Sequence, residues 1–245
     1  MNSFTPGSPE WADQLGRLAD SDPGSRRTEL RRLAHATRCL IDGLVMTEAS
    51  EETLRAAADA IEATAAHFGR PEGAQRPPTL EGFGEASTSG NPYAFFDHSP
   101  MLGVSNPVAP PISLRRTGER EMTGTVTFGS AYEGPPGCVH GGFVAAAFDE
   151  VLGAAQSFSG QPGMTGTLVV RYRFPTPLHE ELRFTASFDR VEGRKVLTSG
   201  AVHAGDRLCA EAEAVFVSLR PGRMEELRRE RAQQEARPPA AGTDS

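Results

Sequence analysis

From His140 to Ser157 the chain carries Phe143, Val144, Ala145, Ala146, Ala147, Phe148, Val151, Leu152, Ala154 and Ala155. No Lys or Arg interrupts this run, and after its start it holds no turn signal. A helix that is apolar on nearly every face cannot lie on a surface and has to be enclosed. Its many small side chains allow strands to approach it closely. The fold must therefore wrap one helix.

The flanking segments supply the wrapper. Before the helix, Ile112 to Arg116 and Arg120 to Phe128 read as a strand pair, with Met122, Gly124, Val126 and Phe128 alternating against threonines. After Gly160, Pro162 and Gly163, four strands follow. Leu168, Val170, Tyr172 and Phe174 alternate along the first, and Leu182, Phe184, Ala186 and Phe188 along the second. The third runs from Lys195 to His203. In the last, Leu208, Ala210, Ala212, Ala214 and Phe216 face one way and Glu211 and Glu213 the other. Short turns at Glu192-Gly193 and at Ala204-Gly205-Asp206 imply antiparallel neighbours. Two strands, one buried helix and four more strands predict an α+β layer packing, a sheet curled around the helix.

Upstream, two amphipathic helices are expected as a hairpin over residues 23–69. Leu30, Leu33, Leu40, Ile41 and Leu44 lie on the first. Leu54, Ala57, Ala58, Ile61, Ala65 and Phe68 lie on the second, which starts at the N-cap Ser50 with Glu51 and Glu52 at the positive end of its dipole. Residues 1–22 read as a polar tail and 70–90 as a linker rich in Pro, Gly, Ser and Glu. A core domain spans 91–220, opening with a loop whose Tyr93, Phe95, Phe96, Met101 and Leu102 should pack on it. Residues 221–245 form a charged, partly disordered tail.

The net charge of −7 and a pI near 5.4 argue against nucleic acid as the main partner. The start has neither the basic nor the apolar region of a secretory signal. No stretch has the roughly 20 apolar residues of a membrane span. Cys39, Cys138 and Cys209 are scattered, without metal-ligand spacing. A cytoplasmic protein that needs no metal and no cofactor is expected.

The chemistry concentrates at the helix. Gly134, Gly137, Gly141 and Gly142 around its start permit close approach of a ligand to the backbone. The free N–H groups of the first turn, with the helix dipole, can stabilise a developing negative charge, as an oxyanion hole does. By itself such a stretch is equally an ordinary glycine-rich helix entry, and His140 equally a capping histidine. Asp149 adds weight to the functional reading. It lies mid-helix among Ala147, Phe148, Val151 and Leu152, where a carboxylate is costly without a specific partner and where Asp is a poor helix former. Such a group is a candidate base or nucleophile, although a hydrogen-bonded structural role also fits. Its neighbour Glu150 points about 100° away around the helix, toward solvent or a subunit contact.

His140-Gly141-Gly142 followed by Asp149 on one buried helix resembles the hot-dog thioesterases of the phenylacetate-pathway type and the related thioesterase superfamily members. The resemblance covers roughly Asn91 to Arg220. It implies a hot-dog fold and hydrolysis of acyl-CoA. It assigns the carbonyl-polarising amide to Gly141, support of the turn to His140 and the base or nucleophile to Asp149, and counts Gly142 in the same catalytic motif. It gives Thr165 the part of a hydroxyl that orients water or the carboxylate. Coenzyme A contacts would fall on Arg171, Arg173, Arg194 and Lys195. Some relatives carry an Asn in the loop before the histidine, where this chain has Gly134 and Pro135.

Two other functions suit the same fold. A hot-dog dehydratase or hydratase uses a different Asp/His constellation, which is not found here. A non-catalytic acyl-CoA-binding or regulatory module would gain nothing from a buried carboxylate. Spacing also predicts self-association. Gly141 and Asp149 are roughly 12 Å apart along one helix, too far to serve one thioester. Two antiparallel helices about a two-fold axis would place Gly141 of one subunit beside Asp149 of the other. A dimer or tetramer with composite sites is expected; the resemblance implies the same arrangement, with edge strands joining across the interface.

Overall fold

The computed structural model describes residues 25–69, 97, 99–161, 163–218, 220, 226, 229 and 233. Among the described residues two helices come first, α1 (Ser25–Val45) and α2 (Glu51–Ala66), followed by strands β1 (Ser113–Arg116) and β2 (Glu121–Thr127). A short 3-10 turn, Ser130–Tyr132, leads to the central helix α3 (Gly141–Gln156). Then come β3 (Gly163–Tyr172), β4 (Glu181–Glu192), β5 (Lys195–Ala204) and β6 (Arg207–Ser218). The tails at 1–22 and beyond 221, the linker at 70–90, and Tyr93, Phe95 and Phe96 fall outside the described residues, apart from positions 226, 229 and 233.

All six strands form one antiparallel sheet in the order β1-β2-β4-β5-β6-β3. The helix lies against its inner face, so the chain has the hot-dog arrangement expected from sequence. Phe148, Val151 and Leu152 of α3 are fully buried with Phe128, Leu182, Phe184, Val196 and Val202 of the sheet side. Phe148 meets Phe184 edge to face at 5.1 Å between ring centres. These are the apolar positions of the alternating pattern, and their removal from water is the main force holding sheet and helix together. Met101 and Leu102 are buried as well, so the described part of the loop before β1 does pack on the core.

Three details differ from expectation. The helix is not enclosed on every side within one chain: Gly142, Ala145, Ala146, Asp149 and Gly153 keep some exposure. They recur at helical spacing and so share one face. Strand β3 is an edge strand, and Tyr172 and Phe174 are 53% and 58% exposed despite their place in the apolar alternation. Near the start of β6, Cys209 is buried rather than Leu208, because the β5–β6 register slips between Val202 and His203. One extra residue in a strand redirects the side chain that follows.

Helix α1 docks on the core through charge. Asp97, 4% exposed, receives Arg27 at 3.3 Å, Arg31 at 2.9 Å and the Ser105 hydroxyl at 3.1 Å. Arg38 donates to the carbonyls of Val104 and Asn106. Helix α2 is capped by Ser50 as expected, yet no residue of it is buried in this chain. None of the described helices is long and apolar enough to cross a membrane.

Candidate active site

The segment before α3 is folded back on itself by its own hydrogen bonds. Gly134 N–H donates to the Cys138 carbonyl, Gly137 N–H to the Glu133 carboxylate at 2.6 Å, and Val139 N–H to the Thr176 carbonyl. Gly137 adopts φ +72°, a left-handed conformation that glycine takes without penalty. At Gly134 a side chain would meet the His140 Cα at 2.8 Å, so only glycine fits where this loop crosses the helix start.

His140 is the N-cap of α3, and its Nδ1 accepts the Gly142 N–H at 3.0 Å. An acceptor Nδ1 leaves the proton of the neutral ring on Nε2. The His140 N–H in turn donates to the Tyr132 carbonyl at 2.8 Å. Gly141, the first helical residue, donates its N–H to no acceptor among the described residues. An unpaired amide at the positive end of a helix is equipped to receive a negative oxygen.

Eight residues along, Asp149 is partly exposed rather than enclosed. Its carboxylate has a partner: the Thr165 hydroxyl of β3 donates to Oδ1 at 2.6 Å. The expectation of a carboxylate sealed among apolar neighbours is corrected here, because Asp149 lies on the uncovered face of α3. Glu150 is likewise partly exposed. It meets the loop before β1, where the Ser99 hydroxyl donates to it at 3.1 Å. Burial raises its carboxyl above the ordinary value of 4.5; the Ser99 hydrogen bond opposes this and neighbouring Asp149 adds to it.

The four expected coenzyme A cations fall in two places. Arg171 pairs across the sheet with Glu211, on the face opposite α3. There Arg171 bridges Glu213 at 3.0 Å and Arg173 bridges Glu211 at 2.8 Å. The two arginines border a shallow depression of about 310 Å³ with Ser199 and Gly200. Arg194 and Lys195 sit at the β4–β5 turn, with the Arg194 guanidinium on the Ser218 carbonyl at 2.8 Å.

Two contributors escaped the sequence reading. The Tyr172 hydroxyl donates to the Gly141 carbonyl at 2.7 Å. In sequence Tyr172 is only one more large residue in an alternating strand, and no signal there singles it out. The other is Tyr132, which stacks edge to face on Phe143 at 4.9 Å. Burial raises its phenol, with Arg38 opposing. Tyr132 borders a cavity of about 380 Å³ beneath α1, where Asp42 accepts the Ala131 N–H at 3.2 Å. The helix outside the sheet thus reaches the loop that carries His140. No group of three or more His, Cys, Asp or Glu side chains able to hold a metal occurs among the described residues.

A family model described as "Thioesterase superfamily" matches residues 136–211, which include His140, Gly141, Asp149, Thr165 and Tyr172. A crystal structure of a thioesterase superfamily protein is 34% identical, covers 80% of this chain and 97% of its own, and superposes with a TM-score of 0.66. Over 105 residues the chain is 37% identical to acyl-coenzyme A thioesterase THEM4 of Xenopus laevis, covering 42% of this chain and 47% of that protein. Over 93 residues it is 31% identical to acyl-coenzyme A thioesterase THEM5 of Homo sapiens, covering 37% of this chain and 38% of that protein. The matched part is thus less than half the length of either of these two relatives.

Proposed function

Since the chain belongs to the thioesterase superfamily, we propose that it hydrolyses acyl-CoA thioesters to free acid and coenzyme A, in composite sites shared by two subunits. The observation that carries this reading is the uncovered face of α3. It presents the Thr165-bound Asp149 carboxylate on a stripe otherwise made of Gly142, Ala145, Ala146 and Gly153. Small residues let a second copy of the helix approach closely. A two-fold axis through that face brings Asp149 of one subunit toward the free Gly141 amide of the other, and the open edge of β3 extends the sheet across the interface.

In this site the thioester carbonyl oxygen receives the Gly141 N–H. Asp149 of the partner subunit either takes a proton from water as the water oxygen attacks the carbonyl carbon, or attacks that carbon itself. In either route the carbon–sulfur bond breaks and the coenzyme A thiolate leaves and takes up a proton. In the first route that proton comes from Asp149; in the second the acyl group stays on Asp149 as a mixed anhydride, which water hydrolyses to the free acid and the carboxylate. The amide acts mainly on the transition state, since negative charge on the carbonyl oxygen is greatest there. Thr165 holds the carboxylate in one orientation. Arg171, Arg173, Arg194 and Lys195 supply positive charge for the phosphates, with Arg171 and Arg173 exchanging their glutamate partners for the ligand.

Release of free thiol from a panel of acyl-CoAs tests the reading, with Asp149→Asn beside the native protein. The amide keeps the shape of the carboxylate but serves neither as base nor as nucleophile, so turnover should vanish in a folded variant. Thiol release by Asp149→Asn at the native rate would overturn the assignment. No release by the native protein from any acyl-CoA would overturn the activity.

A further inference from the structure

Within one chain, α3 and β3 touch at two points that matter for the chemistry. At one, Thr165 binds Asp149; at the other, the Tyr172 hydroxyl binds the Gly141 carbonyl. The second contact involves a single peptide group, the one linking Gly141 to Gly142. Its carbonyl accepts from Tyr172 at 2.7 Å, and its N–H donates to His140 Nδ1 at 3.0 Å. Two side chains thus hold one peptide from its opposite ends, in a row of hydrogen bonds that polarise one another in the same sense. The ring packs closely on Gly141, for a Cβ there would meet the Tyr172 hydroxyl at 3.3 Å. Tyr172 is on the helix side of the sheet because it pairs with Ala210, whose side chain is buried.

We infer that Tyr172 is a positioning residue of the thioesterase site, aiming the Gly141 N–H by fixing the peptide that follows it. This rests on the composite acyl-CoA site proposed above. The first helical turn has the fewest internal hydrogen bonds of any part of a helix. The Gly141 N–H therefore depends on the groups around it for its direction. An oxyanion donor stabilises the transition state only if it is aimed beforehand. The same symmetry that carries Gly141 to Asp149 of the partner subunit also carries Tyr172 to Thr165 of the partner subunit, since each pair is in contact within its own chain. The tyrosine hydroxyl then lies at the mouth shared by both halves of the site, which accounts for a ring that is 53% exposed in a single chain.

Tyr172→Phe deletes the hydroxyl and keeps the ring. It should lower kcat about tenfold with KM, melting temperature and subunit association unchanged. His140→Ala weakens the other end of the same peptide. The double variant should lose less than the product of the two single losses, because both side chains act on one group. Native kcat in Tyr172→Phe would overturn the inference, as would a loss carried by KM alone, by melting temperature or by dissociation, or strictly multiplicative losses in the double variant. Native protein and Asp149→Asn assayed alongside separate the two levels. An inactive native protein removes the thioesterase reading, whereas an active native protein with an unimpaired Tyr172→Phe removes only the role of Tyr172.

Discussion

The Thr165 hydroxyl donates to the Asp149 carboxylate at 2.6 Å, from the edge strand that follows the helix on which Asp149 stands. Helix and strand are thereby joined at the carboxylate proposed to react, and its rotamer is set by a residue 16 positions away. Thr165→Val keeps the branched shape without the hydroxyl, and should reduce kcat about tenfold. Thr165→Ser should restore most of it. Steady-state kinetics on both variants checks this, and native kcat in Thr165→Val would rule out an orienting role.

Glu150 gives a pH signature. Burial first, and the adjacent Asp149 in addition, raise its carboxyl above the ordinary value of 4.5, against the Ser99 hydrogen bond. The folded chain therefore holds a proton there more readily than the unfolded chain does. Stability contributed by this group is greatest at or below 4.5 and declines as pH rises through the raised value. Glu150→Gln removes this dependence while still offering an oxygen to Ser99. The variant should unfold at a higher denaturant concentration than the native protein at neutral pH, with the gap closing in mild acid. Equal midpoints at neutral pH would contradict it.

Asp97 ties α1 to the core through Arg27, Arg31 and Ser105, with a side chain only 3% exposed. Asp97→Ala removes the buried carboxylate that Arg27 and Arg31 share. It should destabilise the protein by about 3 kcal/mol, measured by chemical denaturation. Since Asp42 of α1 also holds Ala131, whose neighbour Tyr132 accepts the His140 N–H, kcat should fall as well. Unchanged stability would show that α1 is docked by other contacts.

Arg171→Ala and Arg173→Ala break exposed pairs with Glu213 and Glu211, which contribute about 1 kcal/mol or less. Melting should barely move. KM should rise more than kcat falls, because phosphate contacts distant from the thioester act on ground and transition states alike. If KM is unchanged in these variants and in Arg194→Ala, coenzyme A lies elsewhere.

What sequence revealed and what it hid divide along one physical line. The apolar central helix, its glycine-rich start and the odd carboxylate at Asp149 were legible because each is a local departure from ordinary periodicity. The edge position of β3 was not, because strand order follows from the pairing of distant segments. Tyr172 therefore passed for one more residue of an apolar face. The Ser99 contact of Glu150 was hidden for the same reason: its partner lies 51 positions away. The slip that buries Cys209 instead of Leu208 arises from a register shift that alternation alone does not encode.

Each proposed site takes its amide from one subunit and its carboxylate from the other. Gly141→Pro removes the N–H at the first helical position, where proline is tolerated. His140 already has ψ 132°, the extended conformation that a residue before proline favours. Gly141→Pro and Asp149→Asn should each be inactive alone. Unfolded together and refolded as an equal mixture, they form mixed dimers in which one of two sites is intact. Thiol release should then return to about a quarter of the native rate. No recovery from a mixture shown to contain mixed dimers would place both groups in the same subunit and contradict the composite site.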